Sequence, residues 1–393
     1  MAKSTMLYAS PFPPKKSGIS DYSVQLVKAL SEYFEITLYT DNYFIEEESL
    51  KDFPALRHGY DEIDFDSFEY KVYNIGNQPG FHWYIYEAAI KHPGMIILHD
   101  FVLYYLFVGY YQRRSELYSN LYTKTDIESF LEVKRAVKKH GPNLLEQSNL
   151  AQVLTLNNEL ISSGNKIMVH SDYSREKVLA TGLISEEKVR KINHLALIDE
   201  SVVSIDKDIL FTKYNVPKDA FIVTSFGYIA ETKLNREVCE TIKDIAFEAE
   251  NPPKICYVMV GDGDYTDDEL KDGLVIKTGY TDINEFDSFI KYSDLVVNLR
   301  YPSMGETSGA MIRILQMGKT CITNEGGWFS EIPDECAVKI RLDDLKNNLK
   351  NTIKDLMSDD EKRSTIGQLA SDYVKKEYAP DVIAGKISEF LEN

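Results

Sequence analysis

Short apolar runs in this chain repeatedly close on a glycine or a polar residue, then give way to a stretch whose apolar positions recur at helical spacing. Strand-then-helix alternation builds parallel sheets, because each strand needs a crossover before the next can lie beside it. The first series begins with a strand at 5–8 and a Pro/Gly-rich loop at 10–20. Tyr22, Leu26, Val27, Leu30 and Tyr33 then fall at helical spacing, and a strand follows at 35–40. The acidic stretch 41–70 reads as loop with short elements. Strands are predicted at 70–75, 95–99 and 166–170, and helices at 125–139 and 149–162. Ser171 is placed to cap a helix over 173–180. A second series starts near residue 205, with strands at 221–226, 255–260, 275–277, 295–299 and 321–323. Helices are expected at 235–247, 283–290 and 307–317, and two closing helices at 360–377 and 381–391. This pattern predicts an α/β protein of two doubly wound parallel-sheet domains, 1–200 and 201–375. A final segment, 376–393, is expected to pack back on the first domain. The length of 393 residues suits two such domains.

Composition narrows the function classes. Lys and Arg number 44 against 62 Asp and Glu, a net charge of −18. That balance argues against a nucleic-acid partner, which needs a basic face for phosphates. It also disfavours broad electrostatic attachment to anionic membrane. The four cysteines, Cys239, Cys256, Cys321 and Cys336, show no CxxC pair and no zinc spacing, and read as buried thiols in a reducing compartment. Neither a signal-peptide pattern nor an apolar run long enough to span a bilayer is present, so a cytoplasmic location is expected.

In open α/β sheets ligands bind beyond the carboxyl ends of the strands. The residues just after strands are therefore the informative ones. PFPPKKSGISD follows the first strand, and Gly18, Ser17 and Ser20 at a helix start suit a phosphate. The loop is not GxGxxG, so a nicotinamide fingerprint is missing. His99 and Asp100 close the strand MIILHD, either facing a ligand or with Asp100 capping the next helix. His82 is a weaker candidate. Lys233, beyond Gly227, and Arg300, after LVVNL, are cations at strand mouths that could neutralise a diphosphate. RYPSMGETSG then bridges a strand and a helix, with Glu306, Thr307, Ser308 and Gly309 at the helix start. A carboxylate beside free N–H groups fits a sugar phosphate, and it also fits a plainly capped helix. Asp262-Gly263-Asp264 and Asp64-Phe65-Asp66 match a metal-binding DxD by letters. In so acidic a chain both are read as loop chemistry, and no metal site is expected. The aromatic stretch 101–111 reads either as core or as a wall of an acceptor site.

Taken together, these segments resemble retaining glycosyltransferases of the GT-B fold, and within them glycosyltransferase family 4. The resemblance runs through SGISDYS, the GN…H…HPG…LHD block at 76–100, VHSDYSREKV, SFGYI…K, VGDGD, NLRYPSMGETSG and GGWFSEIPDE. It implies two Rossmann-like domains facing across a cleft and a nucleoside diphosphate sugar as donor, with no further cofactor. It implies that Glu306 is the first acid of an EX7E motif contacting donor-sugar hydroxyls, and that His99 or Asp100 faces the sugar. Lys233, Gly18, Thr307, Ser308 and Gly309 would hold the diphosphate, with Arg300 beside them. Gly227, Gly261, Thr278, Gly279, Tyr280 and Glu331 would lie near the nucleoside. The second acid of EX7E falls on Ile314, next to Arg313, so the ribose contact would pass to Glu331 or Glu325. The acceptor would be a glycan or a lipid-linked sugar, the latter bringing peripheral membrane contact. The residues do not specify an oligomeric state. Two other functions stay open: a sugar-nucleotide epimerase, and a non-catalytic partner or glycan-binding protein, which the missing acid favours.

Overall fold

The computed structural model describes residues 3–197, 203–248 and 253–393. The chain divides into two compact units. The first comprises Met1–Leu197, Met304–Thr307 and Ala379–Asn393, and the second Ile198–Ser303 and Ser308–Tyr378. The expected boundary at 200/201 lies outside the described residues.

The first unit holds a seven-stranded sheet: β1 (Ser4–Ala9), β2 (Phe34–Thr40), β3 (Ala55–Arg57), β4 (Tyr70–Ile75), β5 (Met95–Leu98), β6 (Lys166–Val169) and β7 (Val189–Lys191). Their order is β3-β2-β1-β4-β5-β6-β7, and every pairing is parallel. The second unit holds β8 (Phe221–Phe226), β9 (Ile255–Val260), β10 (Val275–Lys277), β11 (Leu295–Val297), β12 (Cys321–Asn324) and β13 (Val338–Ile340). These order as β10-β9-β8-β11-β12-β13, again all parallel. Each sheet therefore winds outward both ways from its first strand, the doubly wound pattern.

Sheets covered on both faces need strands that are apolar throughout. Leu7 and Ala9 of β1 join one core cluster with Ile96 and Leu98 of β5, while Met6 and Tyr8 join another with Met95 and Ile97. The period of two in a strand sends alternate residues to opposite faces. The C-terminal helix Pro380–Glu392 enters the second of these clusters through Ile383, Ile387 and Phe390, beside Leu26 and Leu30 of the helix Gly18–Leu30. Lys166 donates from Nζ to the carbonyls of Phe390 and Leu391 at 2.7 and 2.8 Å, a cation at a helix C-terminus where the dipole favours it.

Helix ends follow local chemistry in part. Ser171 caps Asp172–Ala180 by accepting from the Ser174 N–H. Two expectations need correction. The predicted helix over 149–162 is two short helices, Ser148–Ala151 and Asn158–Ser163. Leu156 has φ +48°, and the backbone between them serves the loop after β5 instead. Leu103 N–H donates to the Thr155 carbonyl, and Asn157 Nδ2 donates to the Phe101 carbonyl. The helix predicted from 307 starts at Gly309, because Ser308 is extended and its Oγ accepts from the Met311 N–H. The aromatic stretch 101–111 is core: Tyr104, Phe107, Tyr110 and Tyr111 of the helix Tyr104–Gln112 are buried. All four cysteines are buried, and burial pushes the Cys239 and Cys256 thiols up to about 12. Among the described residues no helix is long and apolar enough to cross a membrane.

Candidate functional site

In the second unit, the carboxyl ends of β8, β9 and β10 draw several predicted residues together. Gly227 follows β8 with φ +87°, a conformation open to glycine. A Cβ on Gly261, after β9, would stand 2.1 Å from the Gly227 carbonyl oxygen. Gly261 N–H donates to Thr278 Oγ1 at 3.2 Å, and Thr278 follows β10. Gly279 has φ +72°, and Tyr280 beyond it is 68 % exposed. The two strand ends can approach this closely because Gly261 carries no side chain. A Gly261→Ala exchange is therefore expected to destabilise the protein by about 1–3 kcal/mol, the usual cost of overpacking, read as a lowered thermal midpoint. An unchanged midpoint would mean that the β8 turn moves aside freely.

Lys233 folds back over this turn. Its Nζ donates to the Phe226 carbonyl at 2.7 Å, and a Cβ on Gly227 would stand 2.8 Å from that ammonium. The neighbouring loop is tied to it: Tyr301 N–H donates to the Thr232 carbonyl at 2.8 Å. Arg300 is fixed through its backbone, donating N–H to Asn324 Oδ1 and accepting at its carbonyl from Asn324 Nδ2. Asn298 donates from Nδ2 to Ser308 Oγ, anchoring the N-terminus of Gly309–Gln316. Sequence reading missed Asn298, Thr232 and Asn324. Asn298 directly follows β11 and Asn324 ends β12, polar groups at strand ends like the residues it found, whereas Thr232 acts through its backbone carbonyl and carries no such signal. Ile314 is fully buried, and Arg313 beside it forms a buried ion pair with Asp287, so neither can stand in for a ribose-binding acid. Glu331 ends the short helical turn Gly327–Glu331 and is half-buried. The Asp262–Asp264 pair is loop: Asp262 Oδ1 accepts from the Gly263 N–H, and Lys277 Nζ donates to the Gly263 carbonyl. Asp64, in the first unit, caps a short turn by accepting from the Asp66 N–H.

Glu306 and Thr307 belong to the short segment Met304–Thr307, which packs within the first unit. Glu306 Oε2 accepts from the Met304 N–H at 2.7 Å and closes a tight turn around Gly305, which has φ +84°. Ser174 Oγ donates to the Gly305 carbonyl, and Val102 N–H to the Met304 carbonyl. Glu306 therefore lies ahead of the helix start rather than on it. Thr307 Oγ1 is buried and finds no hydrogen-bond partner among the described residues.

A cavity of about 500 Å³ opens in the first unit beyond β1, β4 and β5, lined in part by Ser17, Ile19, Asn77, His82, Asp100 and Tyr105. It sits where the sheet order reverses, between β1 and β4. A Cβ on Gly76 would stand 3.0 Å from His82 Nε2 and 3.4 Å from Asp100 Oδ2, so both groups face the same small space. Asp100 does not cap the next helix. Its Oδ2 accepts from the Asn77 N–H, and Asn77 Oδ1 caps that helix from another loop, accepting from the Tyr105 and Leu106 N–H groups. Gly18 is the first residue of its helix, with Ser17 capping, and open space lies where its Cβ would be.

His99 parts company with Asp100 and turns inward. It is 8 % exposed, with Nε2 3.1 Å from Asn74 Oδ1 and Nδ1 3.2 Å from His170 Nε2. His170 Nδ1 faces the Ile192 carbonyl at 3.1 Å. Tyr22 lies against His99, His170 and His194, with ring centroids 4.9, 5.5 and 4.6 Å away. Both outer contacts of the His99–His170 line end on acceptor oxygens, because Asn74 uses its Nδ2 on the Ala9 carbonyl. Two neutral rings supply two N–H groups for three contacts. A third proton would complete the line but would bury a charge, which costs several kcal/mol against about 1 for the hydrogen bond gained. Burial decides: it pushes His99 well below the ordinary histidine value and His170 down to about 3.

No family model matches the chain, and no curated protein matches it in sequence. Solved structures do match in shape over nearly the whole length. HepE from Anabaena in complex with UDP and glucose aligns over 99% of both chains at 14% identity and a TM-score of 0.62. Sucrose-phosphate synthase from Thermosynechococcus elongatus covers 99% of this chain and 98% of its own at 15% identity, TM-score 0.64. WaaG, a glycosyltransferase involved in lipopolysaccharide biosynthesis, covers 99% of both at 12% identity, TM-score 0.59. A Listeria monocytogenes protein provisionally described as a UDP-N-acetylglucosamine 2-epimerase aligns at 14% identity and TM-score 0.56, over 100% of this chain and 98% of its own. The likeness establishes the fold: two Rossmann-like parallel-sheet domains, of seven and six strands, as in GT-B glycosyltransferases.

Proposed function

We propose that this protein is a retaining glycosyltransferase of the family 4 type, moving a sugar from a nucleoside diphosphate to an acceptor hydroxyl. The observation that carries the reading is the strand-end cluster of the second unit. There the Gly261 backbone comes up against Gly227 under the Lys233 ammonium, beyond the carboxyl ends of the strands, which supports a nucleotide diphosphate in this place. HepE holds UDP and glucose in this fold, so uridine donors are the first to try.

In this mechanism Lys233 and Arg300 take the charge that develops on the leaving diphosphate, and Glu306 orients sugar hydroxyls. The bond from the anomeric carbon to the diphosphate oxygen breaks. The acceptor oxygen bonds to the same face of that carbon, and its proton passes to the departing phosphate oxygen. With Lys233 and Arg300 in these roles the step needs no metal. The chemistry would run in the cytoplasm, on a glycan or lipid-linked acceptor in polysaccharide synthesis.

The test is a thermal-shift screen against UDP-, GDP-, ADP- and TDP-sugars, with and without EDTA, repeated with Glu306→Ala. A ligand that binds the native state raises its midpoint. Stabilisation by one donor, unchanged by EDTA and weakened by the exchange, is expected. A shift that vanishes in EDTA would replace the two cations by a metal. No shift with any donor would favour a non-catalytic glycan-binding partner, the reading supported by a buried Ile314 in place of the second acid. An epimerase would instead release a changed sugar nucleotide with no acceptor present.

A further inference from the structure

The loops after β2 and β3 hold two aromatic rings in the open around a single arginine. We propose that these rings are a platform for a neutral glycan, stacking on the sugars of an acceptor chain that runs outward from the first-unit cavity. The proposal deepens the transferase reading and takes from it that the acceptor is a glycan. Phe44, in the loop after β2, is 73 % exposed, and Tyr60, after β3, is 67 % exposed. Arg57 ends β3, and its guanidinium carbon lies 4.4 Å from the Phe44 centroid and 3.7 Å from that of Tyr60. Arg57 is itself pinned: its N–H and Nε both donate to Asp61 Oδ2, at 2.8 and 3.3 Å, and its side chain is largely buried. Rings held by a fixed cation keep their geometry without being packed into a core.

Position ties the platform to the cavity. The strands of this sheet run parallel, so the loops after β2 and β3 leave it at the same end as those after β1, β4 and β5, which line the cavity. β3 lies two strands from β1, about 10 Å across the sheet. That is farther than one sugar ring spans and within reach of a short chain. Tyr43, next to Phe44, accepts from the Phe12 N–H at 2.9 Å and donates to the Phe12 carbonyl at 3.2 Å, fixing the loop after β2 to the loop after β1. Trp83 follows the cavity-lining His82 and donates from Nε1 to Asp41 Oδ2 at 3.3 Å.

Chemistry selects the occupant. The stretch 41–70 holds ten acids against Lys51 and Arg57, which repels phosphates, nucleic acid and anionic glycans. A cationic partner would compete for the ring faces with a guanidinium already beside them. A neutral sugar has neither handicap: its C–H groups meet the electron-rich ring faces, and its hydroxyls donate to the surrounding carboxylates.

The test is native affinity electrophoresis of the full chain, without donor, through gels holding dextran, soluble β-glucan or galactomannan, with alginate as the polyanionic control. Retardation by at least one of the three neutral polysaccharides is expected, and little by alginate. Phe44→Ala and Tyr60→Ala should each weaken that binding by about tenfold, the usual loss when an aromatic anchor is truncated. Phe44→Trp, which keeps a ring face, should bind like the parent. Both rings are mostly exposed, so thermal midpoints should stay at the parent's value. Retardation by no neutral polysaccharide, equal retardation by alginate, or alanine variants that bind like the parent would overturn the proposal. So would a dimer seen by light scattering that Phe44→Ala dissolves, since that assigns the rings to a second copy. The donor thermal shift should be the same in all three variants. Loss of glycan binding with that shift intact sinks the platform alone, and glycan binding without any donor shift sinks the transferase reading alone.

Discussion

Replacing Lys233 with methionine is expected to lower kcat/KM for sugar transfer by about 10²–10³-fold, the usual loss when one preorganised donor to a developing negative charge is removed. The side chain is already held at the strand mouth. Its Nζ donates to the Phe226 carbonyl at 2.7 Å and lies over Gly227. An ammonium so placed needs little reordering when the diphosphate departs. Methionine keeps the length of the stem, so the fold should hold, and a thermal midpoint close to the parent's checks this. Lys233→Arg should not restore the rate, because the planar guanidinium cannot occupy the same point over the Gly227 turn. Initial rates with the donor identified by thermal shift decide the matter. A loss smaller than about fivefold would reduce Lys233 to a strut for the β8 turn, since a group central to leaving-group departure is worth more.

Acid should unfold the first unit well before the second. All seven histidines of the chain lie between residues 58 and 194, inside the first unit. Burial pushes His82 and His194 from the ordinary 6.5 down to about 4, and His170 to about 3. Burial also pushes His99 well below 6.5, and the neighbouring titratable rings His170, His194 and His82 lower it further. Because the folded values are depressed, the unfolded chain takes up protons first as the pH drops. Their contribution is whole above pH 6.5 and is lost from there down toward the folded values near 4 and 3. At about pH 5 each ring whose folded value sits near 4 costs on the order of 2 kcal/mol. Several such rings approach the whole stability of an ordinary domain, about 5–15 kcal/mol. Hydrogen exchange measured near pH 7 and near pH 5 should show amides of β5 and β6 losing protection while β8 and β9 keep theirs. His194→Gln, which removes one titrating ring from the Tyr22 contact, should lessen the difference. Equal loss of protection in both sheets would show that the buried rings do not set the acid limit.

Much of this architecture is written within short stretches of chain. The apolar runs of β1, β5 and β9 are long enough to need cover on both faces, and that alone requires a parallel, doubly wound sheet. Gly227, Gly261 and Gly279 mark strand ends where backbone must turn sharply or pass close; Lys233 stands in the same loop as Gly227, and Arg300 in the loop after β11. Ser171 and Ser308 cap through a hydroxyl three residues from the N–H it serves, an interaction that needs no tertiary partner. Edge strands β3, β7 and β13 were not legible. Each has three residues with mixed burial, too few to show a period.

Other features arise only when distant segments meet. The helix expected over 149–162 breaks because Thr155 and Asn157 are worth more as partners of the loop after β5 than as links in a helix. The helix at Tyr104 is capped by Asn77, 27 positions earlier and from another strand end, which frees Asp100 for the cavity. His99 and Asp100 are neighbours in sequence with opposite surroundings, one among buried rings and one at a cavity wall, because successive side chains leaving a strand point to different sides. The sequence by itself determined the layers, the parallel strand-then-helix alternation and which glycines and polar residues stand at the strand ends, since these depend on periodicity and on turns only a few residues long. Tertiary structure alone decided which polar groups are neutral and buried and which face open space. That choice rests on desolvation, and desolvation depends on what the rest of the fold brings alongside.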